Sequence, residues 1–475
     1  MTWEPPIPAE LWAQIPPAAQ AALQALLQQY EQRLQDLQQQ VEDLQQRLNQ
    51  NSTNSSRPPS TDPPGLKRSP PRPRSGRRPG GQPGHALRRR PWLPPTQTIP
   101  CKPLTCRRCR HALQGQDPEP LRHQVIDLPE IRPVVTEYQL HRLACPGCGT
   151  TTCAPLPGGV PSGGQGPRLQ ATAALLAGAY RLSKRQVECL LADLLNVPLC
   201  AGQVCALEQQ TSAALAPVVA ELKQELRRCD VNMDETGWRE GPGRPWLWVA
   251  VTTYLTVYHL VASRGAGVVA DLLGAGYERV LTSDRFKAYH GLPLGQRQAC
   301  WAHLRRDFQA MIDRGGAGAR QGEDLLLHAD ILFDLWYKVR DGTRTRQWLR
   351  RQVEQWLRPE VRLLLQQGAA VGCAKTAGTC AEILKVEETL WTFVRVEGVE
   401  PTNNAAERAL RHAVLWRTTS RGTRSAGGSQ FVAHILSVVE TCRQQGRNVL
   451  EYLTACCQAA LDQTPAPSLL PQAAS

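Results

Sequence analysis

Six segments follow one another with little between them: CDVNMDETGW (229–238), PWLWVAVTT (245–253), LTVYHLVAS (255–263), GVVADLLGAGY (267–277), ERVLTSDRFKAY (278–289) and RQACWAHLRRDF (297–308). The first three are apolar runs of strand length separated by short turns. The fourth reads as a helix, the fifth as another short strand, and the sixth as a strand running into a helix. Three consecutive strands, a helix and a fourth strand predict the opening of a ribonuclease-H-like α/β sheet. Asp234 ends the first strand and Asp284 the fourth; in that topology the two ends are adjacent.

Two aspartates at neighbouring strand ends supply part of a cage for divalent cations. Phosphoryl transfer uses carboxylates that converge on two Mg2+ ions roughly 3.5–4 Å apart. A third carboxylate usually comes from a helix, and Glu407 in PTNNAAERALRHAVLW (401–416) is the candidate. Asn403 at i−4 and Arg411 at i+4 share its face and can orient it or contact phosphate. Singly, each acid has an ordinary alternative: Asp234 as a turn residue, Asp284 as a helix cap, Glu407 as a solvated helix position. Their order and context set them apart as a group. After that helix, WRTTSRGTRSAGG (416–428) is a cationic loop in which Arg417, Arg421 and Arg424 can grip phosphates.

Upstream of this core the chain changes texture several times. Leu23, Leu27, Tyr30, Leu34, Leu37, Val41, Leu44 and Leu48 alternate gaps of four and three, the seam of a coiled coil. Self-association is the reading; a seam with another part of the chain is the alternative. Residues 51–95 are rich in Pro, Gly, Ser and Arg and show no hydrophobic period. Between Arg57 and Arg90 lie ten basic residues and one acid, which is +9 of the chain's net +13. Arg72, Arg74, Arg77, Arg78, Arg88, Arg89 and Arg90 suit a polyanion such as DNA, with a solubilising spacer as the alternative.

Cys106-Arg-Arg-Cys109 and Cys145-Pro-Gly-Cys148 are two CxxC knuckles 35 residues apart, the pattern of a structural zinc site. Between them HQVIDLPEI and VVTEYQLHRLAC read as strands of a hairpin joining the knuckles. Cys101, His111 and Cys153 are spare ligand candidates. A reactive redox pair is the weaker alternative, since there are two pairs and no thioredoxin-like context. From Arg168 to about Leu226 the chain is rich in Ala and Leu. Its RLSKRQVECLLADLLNVPLCAGQVCALEQQ (181–210) reads as helix, turn at Asn196-Val197-Pro198, helix: a helix-turn-helix or an ordinary helical hairpin. Cys200 is a poor helix cap, so the second helix is expected to start elsewhere.

The chain has 475 residues, 41% of them hydrophobic, a length that suggests roughly two to four domains and ample core. No run of eighteen apolar residues occurs, which excludes a transmembrane helix. The N-terminus lacks the basic flank of a signal peptide, and sixteen cysteines then point to a reducing compartment.

The segments NSSRPPS (54–60), GGQPGH (80–85), the paired knuckles, MDETGW (233–238), LTSDRFKAY (281–289), CWAHLRRDF (300–308), PTNNAAERALR (401–411) and SVVETCRQQGRNVLEYL (437–453) together resemble the transposases of the insertion sequence 66 family of bacterial mobile elements, essentially from end to end. The resemblance implies that Asp234, Asp284 and Glu407 are the family's DDE triad and that His303 and Arg306 are motif positions beside it. It implies cleavage at transposon ends and attack of the freed 3'-hydroxyls on target DNA, with two Mg2+ or Mn2+ ions per active site and a structural Zn2+. It also implies double-stranded DNA as partner, both element ends and target, accessory transposition proteins, and a cytoplasmic, nucleoid-associated location. The 123 residues from Asp284 to Glu407 far exceed the spacing of compact DDE proteins, so a helical insertion is expected at about 310–398.

The architecture expected is multidomain α/β. It comprises a coiled coil (1–50), a basic linker (51–95), a zinc-binding module (96–160), a helix-turn-helix-like segment (161–228), a ribonuclease-H-like catalytic domain (229–445) and a C-terminal helix and tail (446–475). The coiled coil would make a homodimer or higher oligomer, and no membrane partner is expected. Two other functions compete: a DNA-binding regulator without catalysis, and a nuclease that cuts without joining. A regulator needs no set of converging acids.

Overall fold

In the computed structural model the central sheet is built from Val231–Gly237 (β1), Trp246–Val251 (β2), Thr256–Val261 (β3), Leu281–Ser283 (β4) and Arg297–Ala299 (β5). Their spatial order is β3-β2-β1-β4-β5. β1, β2 and β3 pair antiparallel, with Asn232 opposite Val251 and Val249 opposite Tyr258. β4 runs parallel to β1, with Asn232 beside Thr282, and β5 runs parallel to β4. The structure describes residues 8–55 and 91–471. They divide into two units, residues 8–55 with 138–189 and 199–471, and residues 91–137 with 190–198.

The helices follow in chain order. Upstream of the sheet lie Pro17–Leu48 (α1), Pro167–Gly178 (α2), Lys184–Leu195 (α3) and Ala201–Leu226 (α4). Ala266–Leu273 (α5) sits between β3 and β4. After β5 come Trp301–Arg314 (α6), Ala317–Arg340 (α7), Arg346–Gln352 (α8), Arg358–Ala369 (α9) and Ala374–Lys385 (α10). Asn404–Ser420 (α11), Ala426–Gln444 (α12) and Val449–Leu461 (α13) close the chain.

The run WLWVAV is apolar on both faces because β2 lies in mid-sheet and is buried on both. The outer edge of β3 is covered by α12. Ser437 Oγ accepts from the Tyr258 amide at 2.8 Å, and Thr441 Oγ1 accepts from the Thr256 amide at 3.0 Å and donates to its carbonyl at 3.1 Å. Two hydroxyls at i and i+4 on one helix thus satisfy backbone groups that an open edge would leave to another chain.

One hydrophobic core joins the sheet to α2, α4, α11, α12 and α13, through Leu215, Leu222, Trp248, Tyr258, Phe431, Ile435 and Leu453 among others. The boundaries expected at 228 and 445 therefore do not divide the core: α2 and α4 before the sheet and α13 after it belong to the same packed layer. The helix–turn–helix sequence is present as α3, a turn at Asn196 (φ 54°) and α4. The buried face of α4 is spent on this core, however. α4 nonetheless starts directly after Cys200, contrary to expectation. The Gln203 side chain accepts from the Cys200 amide at 2.9 Å, so the third helical residue supplies the cap that the cysteine could not.

His259 on β3 packs against α4, where Lys223 Nζ lies 3.0 Å from its Nδ1. Burial first, and then the Lys223 charge, push this imidazole from 6.5 down to about 4. The unfolded chain protonates it near 6.5, so its contribution to stability is whole above that pH and is lost as pH falls through about 4. The thermal midpoint should fall across that window, and less steeply in a His259→Gln protein. Equal slopes in a pH series of thermal melts would show that another group titrates.

A second core gathers Trp301, Leu304 and Phe308 of α6 with Leu325, Leu332 and Trp336 of α7, Leu357, Val361 and Leu365, Ile383, Trp391, Phe393 and Val399. This is the helical insertion. Its core begins earlier than the expected 310, at Val280 and Ala299, and β5 is stitched into it: Gln298 Oε1 accepts from the Phe393 amide at 2.8 Å and the Arg297 carbonyl from Thr392 Oγ1 at 2.6 Å.

α1 is one continuous helix, as the four-three spacing requires. Its seam residues Leu34, Leu37, Val41, Leu44 and Leu48 are exposed in the single chain. Just after it, Asn54 Nδ2 donates to Asp313 Oδ2 of α6 at 2.6 Å.

Candidate active site

Asn232 of β1 stands beside Thr282 of β4, and two residues further on come Asp234 and Asp284. Asp234 thus lies in the middle of β1, not at its end as expected, because the pairing of β1 with β2 runs on to Gly237, while Asp284 follows directly after the end of β4. The Phe286 amide donates to Asp284 Oδ1 at 2.9 Å, and the Glu235 amide to Asp234 Oδ1 at 2.9 Å. Among the described residues neither aspartate takes part in an ion pair.

Glu407 lies in the first turn of α11, which packs on β1. The start of that helix is held by Asn403, fully buried, whose Nδ2 donates to the Met233 carbonyl at 3.4 Å, one residue before Asp234. The Pro401 carbonyl accepts from the Trp301 amide at 2.9 Å, which fixes the approach to α11 against the start of α6. From α6, His303 Nε2 lies 3.6 Å and Arg306 Nη2 3.8 Å from Glu407 Oε1. Arg285, beside Asp284, pairs with Asp307. Asn403 Oδ1 and His303 Nδ1 are buried and have no hydrogen-bond partner among the described residues.

Charge gathers here. Burial first, then the carboxylates of Glu235, Asp284 and Glu407, hold the Asp234 carboxyl well above the usual range. Burial pushes the His303 imidazole below its ordinary value, although Glu407 pulls the other way, so a neutral ring faces the acid at neutral pH. Among the described residues no three His, Cys, Asp or Glu side chains are gathered closely enough to hold a metal ion as they stand.

Other expected residues are placed differently. Arg411 is exposed and makes no hydrogen bond or ion pair among the described residues. Arg417 is not a free phosphate grip: half-buried, it donates to Thr236 Oγ1 at 3.1 Å and to the Gly237 carbonyl, and so ties α11 to β1. Counting charge along the loop missed this, because burial decides which cations are free. Arg421 and Arg424 are exposed. Their loop is laced to the turn between β1 and β2: the Gly241 amide donates to the Thr423 carbonyl and the Thr423 amide to the Arg239 carbonyl, both at 2.9 Å. Gly422 has φ +92°, and a Cβ there would collide with the Arg239 carbonyl. That turn brings two exposed arginines the sequence reading passed over, Arg239 and Arg244. Their signal was present in WREGPGRP, a basic turn at the tip of the hairpin that carries Asp234. Arg72, Arg74, Arg77, Arg78, Arg88, Arg89 and Arg90 lie outside the described residues.

The two cysteine knuckles share one backbone design. In the first, the Cys106 amide donates to the His111 carbonyl at 2.8 Å and the Arg110 amide to the Cys106 carbonyl at 2.9 Å. In the second, the Cys145 amide donates to the Thr150 carbonyl at 2.9 Å and the Gly149 amide to the Cys145 carbonyl at 2.8 Å. The residue after each second cysteine has positive φ, 63° at Arg110 and 74° at Gly149. Amides of Cys109 and Arg108 lower the Cys106 thiol, and Thr150 lowers that of Cys148. The hairpin expected between the knuckles is absent: residues 121–141 form no strand, and the short ladder there pairs Arg142–Ala144 with Thr151–Cys153. Alternating apolar residues make a strand only where a partner strand exists.

A mixed α/β sheet with acids on and just after adjacent parallel strands, in a chain that also carries paired CxxC knuckles, fits a transposase-type domain with a zinc finger. Residues 103–149 match the zinc-finger binding domain of transposase IS66, and residues 164–431 match the family described as Transposase IS66 family. The second match spans more than half of the sequence, and the chain belongs to the IS66 transposase family. Residues 8–91 match a family of unknown function, DUF6444. The uncharacterized protein y4qI of Sinorhizobium fredii (strain NBRC 101917 / NGR234) is 27% identical over 233 residues, covering 44% of this chain and 43% of that protein. The chain thus aligns with less than half the length of that relative. No helix among the described residues is long and apolar enough to cross a membrane.

Proposed function

We propose that the protein is a DNA transposase that binds its element's ends, hydrolyses a phosphodiester bond at each and joins the exposed 3'-hydroxyls to target DNA. The observation that carries this reading is the placement of Asp234 and Asp284 two residues beyond the paired Asn232 and Thr282 of adjacent parallel strands, with the Glu407 helix tied to Met233 through Asn403. The strand order β3-β2-β1-β4-β5 is that of a ribonuclease-H-like sheet and supports the same reading.

Asp234, Asp284 and Glu407 are the proposed holders of two Mg2+ or Mn2+ ions. The donor set fits: all-oxygen carboxylates suit hard cations, and two of the three have no cationic side chain to neutralise them. Bound there, the metal would activate the attacking oxygen and support the leaving one. The chain's own groups do the rest. Arg306 and neutral His303 stand beside Glu407 Oε1, at 3.8 and 3.6 Å. Arg239, Arg244, Arg421 and Arg424 offer phosphate contacts from two tethered loops. An assay of nicking and strand transfer on DNA carrying the element's ends, with Mg2+, tests the reading. Asp234→Asn should lose both activities, and unchanged activity would remove the acids from the chemistry.

The zinc of the finger is assigned to Cys106, Cys109, Cys145 and Cys148. Cys109→Ser should lower zinc content from about one ion per chain to none, since a structural site closes with four ligands. Elemental analysis reads this directly, and DNA binding should fall with it. Retained zinc would send the assignment to Cys101, His111 or Cys153. The exposed seam of α1 is the proposed surface for self-association.

A further inference from the structure

We propose that Glu235 is a positioning residue: with Arg264 and Tyr289 it forms a buried clamp that fixes the spacing between Asp234 and Asp284. The proposal rests on the assignment of those two acids to the active site. The strand pleat turns Glu235 to the face opposite Asp234. Its side chain is 1% exposed. Arg264 donates to its Oε1 from Nε at 3.0 Å and from Nη2 at 2.8 Å, and the Tyr289 hydroxyl donates to its Oε2 at 2.5 Å.

Each partner reaches toward Asp284. The Arg264 guanidinium lies over Phe286, 3.9 Å from the ring centre, and over Trp246 at 4.4 Å. Phe286 is the residue whose amide holds Asp284 Oδ1. Tyr289 stands edge-on to Phe286 and to Trp248, at 6.4 and 6.0 Å. The clamp therefore links β1, β2 and the segment after β4 in one directional network. Stability alone does not account for it, because well-packed apolar residues commonly replace a buried ion pair without loss. A directional network sets distance and angle, which apolar packing leaves looser. A planar fork stacked between two rings also explains why the cation is arginine.

The test compares Glu235→Gln, Arg264→Lys and Tyr289→Phe with the unaltered full chain, titrating Mn2+ in the end-cleavage assay and in thermal melts. Arg264 is 40% exposed and Tyr289→Phe removes one hydroxyl, so at least these two variants should fold. The Mn2+ concentration for half-maximal cleavage should rise roughly 10- to 100-fold. Saturating Mn2+ should bring the rate back toward that of the unaltered protein. End-DNA binding without cation should not change, and the Mn2+-dependent rise in melting temperature should need correspondingly more Mn2+. A lowered melting temperature with unaltered Mn2+ dependence would reduce the clamp to a packing role and overturn the proposal. Undiminished cleavage by Asp234→Asn would instead overturn the active-site assignment beneath it.

Discussion

Asp234→Asn is expected to abolish strand cleavage, by on the order of 10³-fold or more, while making the cation-free protein more stable. Both effects come from one cause. Asp234 is pressed among three other carboxylates and largely withdrawn from water, so its ionised form is disfavoured in the folded state. Each unit by which its pKa is raised corresponds to about 1.4 kcal/mol. A neutral amide of the same shape relieves that repulsion, and ~1 kcal/mol would raise the melting temperature by ~2–4 °C. Because the folded value is raised, this group's contribution is whole below the ordinary carboxylate pKa and is lost as pH rises through the raised value. The stability gap between variant and wild type should therefore widen with rising pH. Mg2+ or Mn2+ should close it by stabilising only the wild type. Thermal melts with and without cation, beside the cleavage assay, read all of this. An inactive protein that is merely less stable would speak for misfolding and against the acidic cluster.

Trp301→Ala should be the most damaging single change to the fold, costing about 3–5 kcal/mol. Trp301 is fully buried, stands edge-on to Trp391 at 5.1 Å, and donates from Nε1 to the Leu390 carbonyl at 2.8 Å. It is also the first residue of α6, two before His303, and its amide holds the Pro401 carbonyl ahead of the Glu407 helix. Truncation leaves a void in the insertion core and loosens the join between that core and the acids. Denaturant unfolding should show the loss, and cleavage should fall even at temperatures where the variant stays folded. A change below about 1 kcal/mol would mean that the insertion packs independently of α6.

The sheet was legible because its strands advertise themselves locally. PWLWVAVTT and LTVYHLVAS are apolar and of strand length, and an aspartate in each of two strand segments suggested the site, although Asp234 proves to lie within its strand and not at the end. What stayed illegible depended on partners far away in sequence. Glu235 looks like a neighbour of Asp234 and nothing more until Arg264 and Tyr289 close on it. Arg417 reads as a loop cation until Thr236 and Gly237 take its donors. HQVIDLPEI has strand composition and no strand to pair with. The core of α4 could not be told from a DNA-reading helix by its Ala and Leu alone, since both uses need an apolar face. Cys200 failed as a cap on its own chemistry, and the cap came from Gln203.

The chain leaves the sheet at Ala299 and returns to the site at Pro401, and the hundred residues between are not an ornament hung on a smaller enzyme. Excising the part from α7 to Val399 to copy a compact relative would strip Trp301, Leu304 and Phe308 of their cover and turn one side of the sheet-bearing half into a sticky, water-facing wall. The shortest active form of this protein should accordingly be nearly as long as the natural one from α2 onward.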